Sequence, residues 1–448
     1  MLNTRPLKVL FHCEFGVTTG FGGVSENILD RLQTMTTELG RQKYDLYVMA
    51  LGLPNYPFAQ KPNKPYKIIP MYGNHGAAPY GQDYAKDLLQ RVNPDVVVTF
   101  GDIWMCNFWN DPNIIPPGMR KKFKLLAYIA IDGYPVPADW IEPMTKFDKM
   151  ITFTDFGVRA INERAKQLGR PVNPSYIYHG VDSTAFFPIP KEQKQQWKKQ
   201  RGLEDKVVIG LFSRNQPRKH HPEFIEFAAK FLKKVNNDPK YMFYFHCMEE
   251  DAGWKLPSII SDVDTLHLTE RIEKFGTADP GQEMPEIKYT LKNRFIFPGI
   301  KNPGAALPIP QLNMMYNICD AHVMLTSGEG FGCTILESMS CGVPTFTNDY
   351  AAGAELMRIS GGGAAIKADR FSYRGHDNNF YRPHTDYEDA VNKVLETLEN
   401  ETLRKQYARK GRAFAMAMNW DRMATDWDRE ISTLAVPNPD TQIVAEVA

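Results

Sequence analysis

Glu329 and Glu337, with Gly328, Gly330 and Gly332 around the first of them, are the residues of this chain best suited to chemistry. They lie in the stretch AHVMLTSGEGFGCTILESMSCGVPTFTND, residues 321–349. The apolar run from His322 to Leu325 reads as a buried strand, and a glycine-rich loop follows. A helix is expected from about Cys333 to Cys341, stopped by Gly342 and Pro344, with the next strand at Pro344 to Thr347. Glycines at a helix start leave backbone N–H groups uncovered, so the amides of Gly330, Phe331, Gly332 and Cys333 suit a phosphate. Glu337 shares a helix face with Cys333, four residues earlier. A carboxylate accepts two hydrogen bonds, which fits a vicinal diol. A phosphate cradle between two diol-reading acids is the layout a nucleotide-sugar needs. The plainer reading is an ordinary strand, loop and helix with solvated glutamates.

A basic pair offers matching chemistry. Val207 to Phe212 reads as a strand, and Ser213-Arg214-Asn215-Gln216-Pro217-Arg218-Lys219 follows directly. Arg214 and Lys219, five apart, stand where a strand ends. Cations there would stabilise a diphosphate leaving group more in the transition state than in the ground state. Arg218, between them, is expected to be solvated, as is the lysine-rich run Lys191 to Arg201.

Strands are also expected at Leu7 to His12, Tyr44 to Leu51, Asp95 to Phe100, Leu125 to Asp132, Lys149 to Thr154 and Ser175 to His179, with helices between several of them. Such alternation argues a mostly parallel sheet covered on both faces, with ligands beyond the carboxyl ends of strands. By that rule Asp132, ending the strand in AYIAIDGYP, is either a site acid or an acid capping the turn at Gly133. The glycines Gly20, Gly22 and Gly23 precede a helix expected from about Val24. They are either phosphate- or sugar-facing or simply turn the chain. Residues 52–82 read as one long proline- and tyrosine-rich connection.

The wording EGFGCTILESMSCGVP, with seven residues between Glu329 and Glu337, resembles the donor signature of the family-4 retaining glycosyltransferases, which have the GT-B fold. Three further stretches match in order: Gly20 to Gly23, His179 to Pro188, and Arg214 to Lys219. The resemblance implies two facing Rossmann-like α/β/α domains with parallel sheets and a C-terminal helix crossing back to the first domain. It places the domains at residues 1–188, 189–420 and 421–448, the last comprising that helix and a loose tail. It also implies that Arg214 and Lys219 bind donor phosphates, that Glu329 holds sugar hydroxyls and that Glu337 holds the ribose. Gly22 and Gly23 would face the donor from the first domain, and Asp132 stands where many relatives carry a histidine beside the sugar. Gly299 and Ile300, after the strand Phe295 to Phe297, would read the nucleotide base through the backbone.

Composition bounds the rest. The chain has 448 residues, enough for two domains, and a net charge of +1, which recruits neither nucleic acid nor acidic lipid through a global field. It has no apolar run of membrane-spanning length and no visible secretory segment, and its six cysteines are scattered without metal-ligand spacing. A cytoplasmic location, with peripheral membrane association as an option, is expected. The expected activity is metal-independent, cofactor-free retaining transfer of a glycosyl group from a nucleotide-diphosphate-sugar. The acceptor is left open among a glycan, a lipid, a small molecule and a modified nucleobase, and the oligomeric state is not set. The alternatives are a sugar-nucleotide epimerase or hydrolase on the same fold, or a catalytically inactive nucleotide-sugar-binding protein.

Overall fold

A computed structural model describes residues 5–54, 64–72, 79–266, 291, 293–299, 307–374 and 378–435. The chain forms two compact units, one from residues up to Gly180 together with those from Met418 onward, the other Val181–Ala417. The crossing between them comes before Pro188, because the second unit holds the intervening segment. Asn313 accepts from the Phe187 N–H at 3.0 Å, and Asn317 accepts from the Ile189 N–H at 2.9 Å.

In the first unit, β1 (Leu7–Glu14), β2 (Tyr44–Pro54), β3 (Lys67–Tyr72), β4 (Val96–Gly101), β5 (Lys124–Ile129), β6 (Lys149–Thr152) and β7 (Pro174–Tyr176) form a parallel sheet in the order β3-β2-β1-β4-β5-β6-β7. Alternate side chains of a strand face opposite ways. Leu10 therefore joins a core with Val97, Leu125 and Ile141, while Phe11 meets Trp427 on the other face. Residues 52–82 are not one structureless connection, since they contain β3, which pairs with β2 from Tyr47↔Lys67 onward. Prolines and tyrosines masked the short apolar run Ile68-Ile69 as a strand; Tyr56 and Pro57 lie outside the described residues.

The helix Trp420–Ala435 belongs to this unit and crosses back to it as expected. Trp420, Met423, Ala424, Trp427 and Ile431 recur at helical spacing and are all buried. Trp427 packs edge-on against Tyr128, ring centroids 4.8 Å apart, and Lys43 binds Asp428 at 2.6 Å.

In the second unit, β8 (Val207–Phe212), β9 (Tyr241–His246), β10 (Phe295–Ile296), β11 (Ala321–Met324), β12 (Thr345–Asn348) and β13 (Gly363–Ile366) form a parallel sheet in the order β10-β9-β8-β11-β12-β13. An antiparallel hairpin of β14 (Ala368–Tyr373) and β15 (Tyr381–Thr385) follows, which no sequence signal announced. The lysine-rich helix Lys191–Lys199 is not wholly solvated: Lys198 is buried and, like Lys194, binds Asp320, at 2.9 and 3.1 Å. That aspartate also accepts the Val208 N–H and so fastens the helix to the start of β8. No helix among the described residues is long and apolar enough to cross a membrane.

Trp427→Ala is expected to destabilise the first unit by about 4 kcal/mol, the cost of emptying a buried tryptophan site. Chemical denaturation checks it; a loss near zero would mean the helix does not belong to that core.

Candidate functional site

Two neighbouring strands bring the candidate residues together. β8 and β11 are adjacent and parallel, in register at Ala321↔Ile209, so their carboxyl-end loops emerge side by side. After β8 the chain makes a short turn, Pro217–Lys219, then passes His220 in the left-handed region (φ 49°) into the helix His221–Lys234. The turn is anchored from below. Asn215 is fully buried, and its amide donates to the Trp254 carbonyl at 2.7 Å and accepts the Trp254 N–H at 2.9 Å. The loop after β11 clamps the same turn, with the Ser327 N–H donating to the Arg218 carbonyl at 3.0 Å.

Across this junction Lys219 reaches Glu329. Its Nζ lies 2.6 and 2.7 Å from the two carboxylate oxygens, and Arg218 Nη1 is 3.4 Å from Oε2. Burial pushes the Glu329 carboxyl up, but Lys219 and Arg218 outweigh it and hold the group below the ordinary carboxylate range. Arg218 is therefore not solvated: it is half-buried and donates to the Gly328 carbonyl, because the clamp turns it inward. Arg214 is exposed and grips Asp251 through Nε at 2.8 Å and Nη2 at 3.2 Å.

Glu337 has a different environment. It sits on the helix Cys333–Ser340, where Tyr316 donates to Oε2 at 2.7 Å. Burial raises its carboxyl above the ordinary range, and the Tyr316 bond offsets only part of that. Oε1 has no hydrogen-bond partner among the described residues. Tyr316 is itself fixed by stacking on Phe212 at the end of β8, ring centroids 3.9 Å apart. Burial pushes the Cys333 thiol up to about 12, with Glu337 and Glu329 adding to the effect and Lys219 opposing it. Glu329 precedes by four residues the first residue of the helix that carries Glu337, so one loop and helix hold both acids.

The loop and helix start follow from the glycines. Gly332 caps the helix at φ 97°, a conformation that strains any other residue, and a Cβ there would come 2.8 Å from Ile335. Its N-cap residue, Gly332, offers no side-chain hydrogen bond. Gly330 is half-buried and the Phe331 ring is buried, so their backbone is what a ligand could meet.

The first-unit candidates are arranged differently. The helix there begins at Gly20, not near Val24, because Thr19 caps it. The Gly22 N–H donates to Thr19 Oγ1 and the Gly23 N–H to the Thr19 carbonyl, so both amides are engaged within the cap. A Cβ on Gly22 would lie 2.4 Å from the Val17 carbonyl oxygen, which makes this glycine a packing requirement. β5 stops at Ile129, so Asp132 does not end the strand; it is half-buried three residues beyond. Gly299 takes φ 72° after β10, and Ile300 lies outside the described residues. Sequence reasoning missed Tyr316, and it misjudged Arg218. A tyrosine on an apolar helix carries no signal of its target, whereas the Arg-Lys dipeptide before a helix did mark a basic turn.

Lys219→Met is expected to lower stability by about 3 kcal/mol, because it strands a buried carboxylate. Adding Glu329→Gln should recover more than half of that loss in urea denaturation. In the wild type the pair's contribution is complete above the ordinary carboxylate range and fades as pH falls through the lowered Glu329 value. Equal stability of wild type and Lys219→Met would remove the pair from the account.

Comparison with known proteins bears on the same region. Residues 288–414, which include Glu329, Glu337 and the helix between them, match the family described as glycosyl transferases group 1. No curated protein sequence matches the chain. Solved structures do match its fold. Sucrose-phosphate synthase from Thermosynechococcus elongatus aligns at TM-score 0.66 and 14% identity, over 96% of this chain and 99% of that one. Anabaena HepE in complex with UDP and glucose aligns at 0.59 and 15%, over 95% and 100%. A glycosyltransferase from Rickettsia africae aligns at 0.63 and 14%, over 97% and 100%. The chain has the GT-B fold, and its residues 288–414 match the model of glycosyl transferases group 1.

Proposed function

We propose that the protein is a retaining, metal-independent glycosyltransferase that takes a sugar from a nucleotide-diphosphate-sugar. The observation that carries this reading is the Lys219–Glu329 pair just before a helix whose N-cap is Gly332, with Glu337 on that helix. Arg218 and Lys219 together exceed the single charge of Glu329, leaving a local positive excess for an anion. In this reading the diphosphate lies against Lys219 and the amides from Gly330 to Cys333, with Arg214 at the exposed rim. Glu329, ionised, accepts from sugar hydroxyls. Glu337 accepts a ribose hydroxyl through Oε1, the oxygen Tyr316 leaves open. The match of residues 288–414 to glycosyl transferases group 1 supports the same chemistry.

The reaction needs no side-chain nucleophile. The bond from the anomeric carbon to the phosphate oxygen breaks, and the acceptor oxygen bonds to that carbon on the same face. The acceptor proton passes to the departing phosphate oxygen. Charge grows on the diphosphate as the bond breaks, so cations and amides fixed in advance stabilise the transition state most. Burial strengthens their effect. The reading rests on the second unit alone.

HepE, similar in fold, was solved with UDP-glucose, so UDP-sugars head the donor panel. Lys219→Ala is expected to lower kcat about a hundredfold, as loss of one transition-state donor does. Glu337→Ala is expected to raise donor KM about tenfold, the worth of one hydrogen bond to a charged group. EDTA should leave the rate unchanged. Turnover within threefold of wild type for both variants would eliminate the site, and sugar released with donor alone would point to hydrolysis instead.

A further inference from the structure

The β14–β15 hairpin carries residues that the site as described leaves unused. It is joined to both loops of the donor site by buried polar groups. Glu223, in the first turn of the helix after Lys219 and His220, is buried. Arg374, just past β14, reaches its Oε1 at 3.3 Å, and His220 approaches the same oxygen at 3.3 Å. Thr385, ending β15, donates to its Oε2. Thr385 Oγ1 also lies 3.1 Å from Asn348 Oδ1 at the end of β12. The Asn348 amide donates to the Thr326 carbonyl at 3.0 Å, and the Thr326 hydroxyl contacts the Arg218 and Gly328 carbonyls at 3.2 and 3.1 Å. Arg382, fully buried on β15, donates to the Ser327 carbonyl at 3.4 Å.

This path runs from the turn carrying Lys219, through the hairpin, to the loop carrying Glu329. Glu223, Thr385, Asn348 and Thr326 are all buried. Buried polar groups of this kind are costly unless each keeps its partner, so the path has one low-energy arrangement. A loop held at a single point can pivot. Here the Lys219 turn is held by Asn215 on one side and Glu223 on the other, and the Glu329 loop by Asn348 and Arg382.

We propose that the hairpin braces the donor site, and that Glu223, Thr385 and Asn348 are positioning residues that hold Lys219 against Glu329. Its catalytic consequence rests on the reading of the site as a donor pocket; its geometric consequence does not. Small misplacements of a charge-stabilising group cost rate out of proportion to their size.

The test uses full-length Thr385→Val and Thr385→Ser. Hydrogen exchange is followed by mass spectrometry over residues 214–222 and 324–332, and kinetics use UDP-glucose or whichever UDP-sugar the wild type turns over. Thr385→Val is expected to speed exchange about tenfold in both segments and not across the rest of the second unit. It should lower kcat about tenfold, with donor KM within about threefold. Thr385→Ser, which keeps the hydroxyl, should restore both. Arg374→Met removes the contact to Glu223 from the other arm of the hairpin and should loosen residues 214–222, so it decides the matter if Thr385→Val does not fold. Wild-type exchange in both segments, or acceleration spread evenly over the unit, would overturn the brace. Local loosening in a chain that turns over no nucleotide-sugar would keep the brace and reject the transfer reading.

Discussion

An ionised carboxylate cannot be buried without a countercharge, and the junction at Glu329 is arranged around that constraint. Removing an ionised group from water costs several kcal/mol, so Glu329 stays charged only because Lys219 and Arg218 meet it. The partners come from loops far apart in sequence. They meet because β8 and β11 are neighbours in a parallel sheet, which puts both loops at the same edge. Sheet order, the clamp of Ser327 on the Arg218 carbonyl, and the left-handed turns at His220 and Gly332 all serve this one junction.

The two acids of the site are shifted in opposite directions from the ordinary carboxylate range. Glu329 has cations and lies low; Glu337 has burial and one tyrosine and lies high. The difference arises from neighbours, since the two residues are chemically alike and eight positions apart. In the proposed reading the diphosphate meets the cationic end and a neutral diol the other. Phe212 and Tyr316 stack on the Glu337 side, while Lys219 and Arg218 bring two cations to Glu329.

Much of this was legible beforehand. Local apolar runs marked most strands, and glycine and proline marked the helix after Gly332. Glu329, Glu337 and Lys219 were named from type and spacing, and the fold pairs Lys219 with Glu329. The errors have physical causes. β3 was hidden because short edge strands with proline look like loop. Gly22 and Gly23 looked like ligand amides, but Thr19 takes them up in a helix cap. Lys198 and Arg218 looked solvated, because charge alone suggests water unless the buried partner, Asp320 or Glu329, is known to be near.

Residue type and local spacing determined the alternation of strands and helices, the glycine-rich helix start and the candidate acids and cations, because these depend on interactions within a few residues. Tertiary structure alone decided which cation meets which acid, that Tyr316 fills one oxygen of Glu337, and that the hairpin ties both loops together. Those contacts join residues tens to hundreds of positions apart. Their energies depend on burial and distance, and neither exists until the sheet has set its strand order.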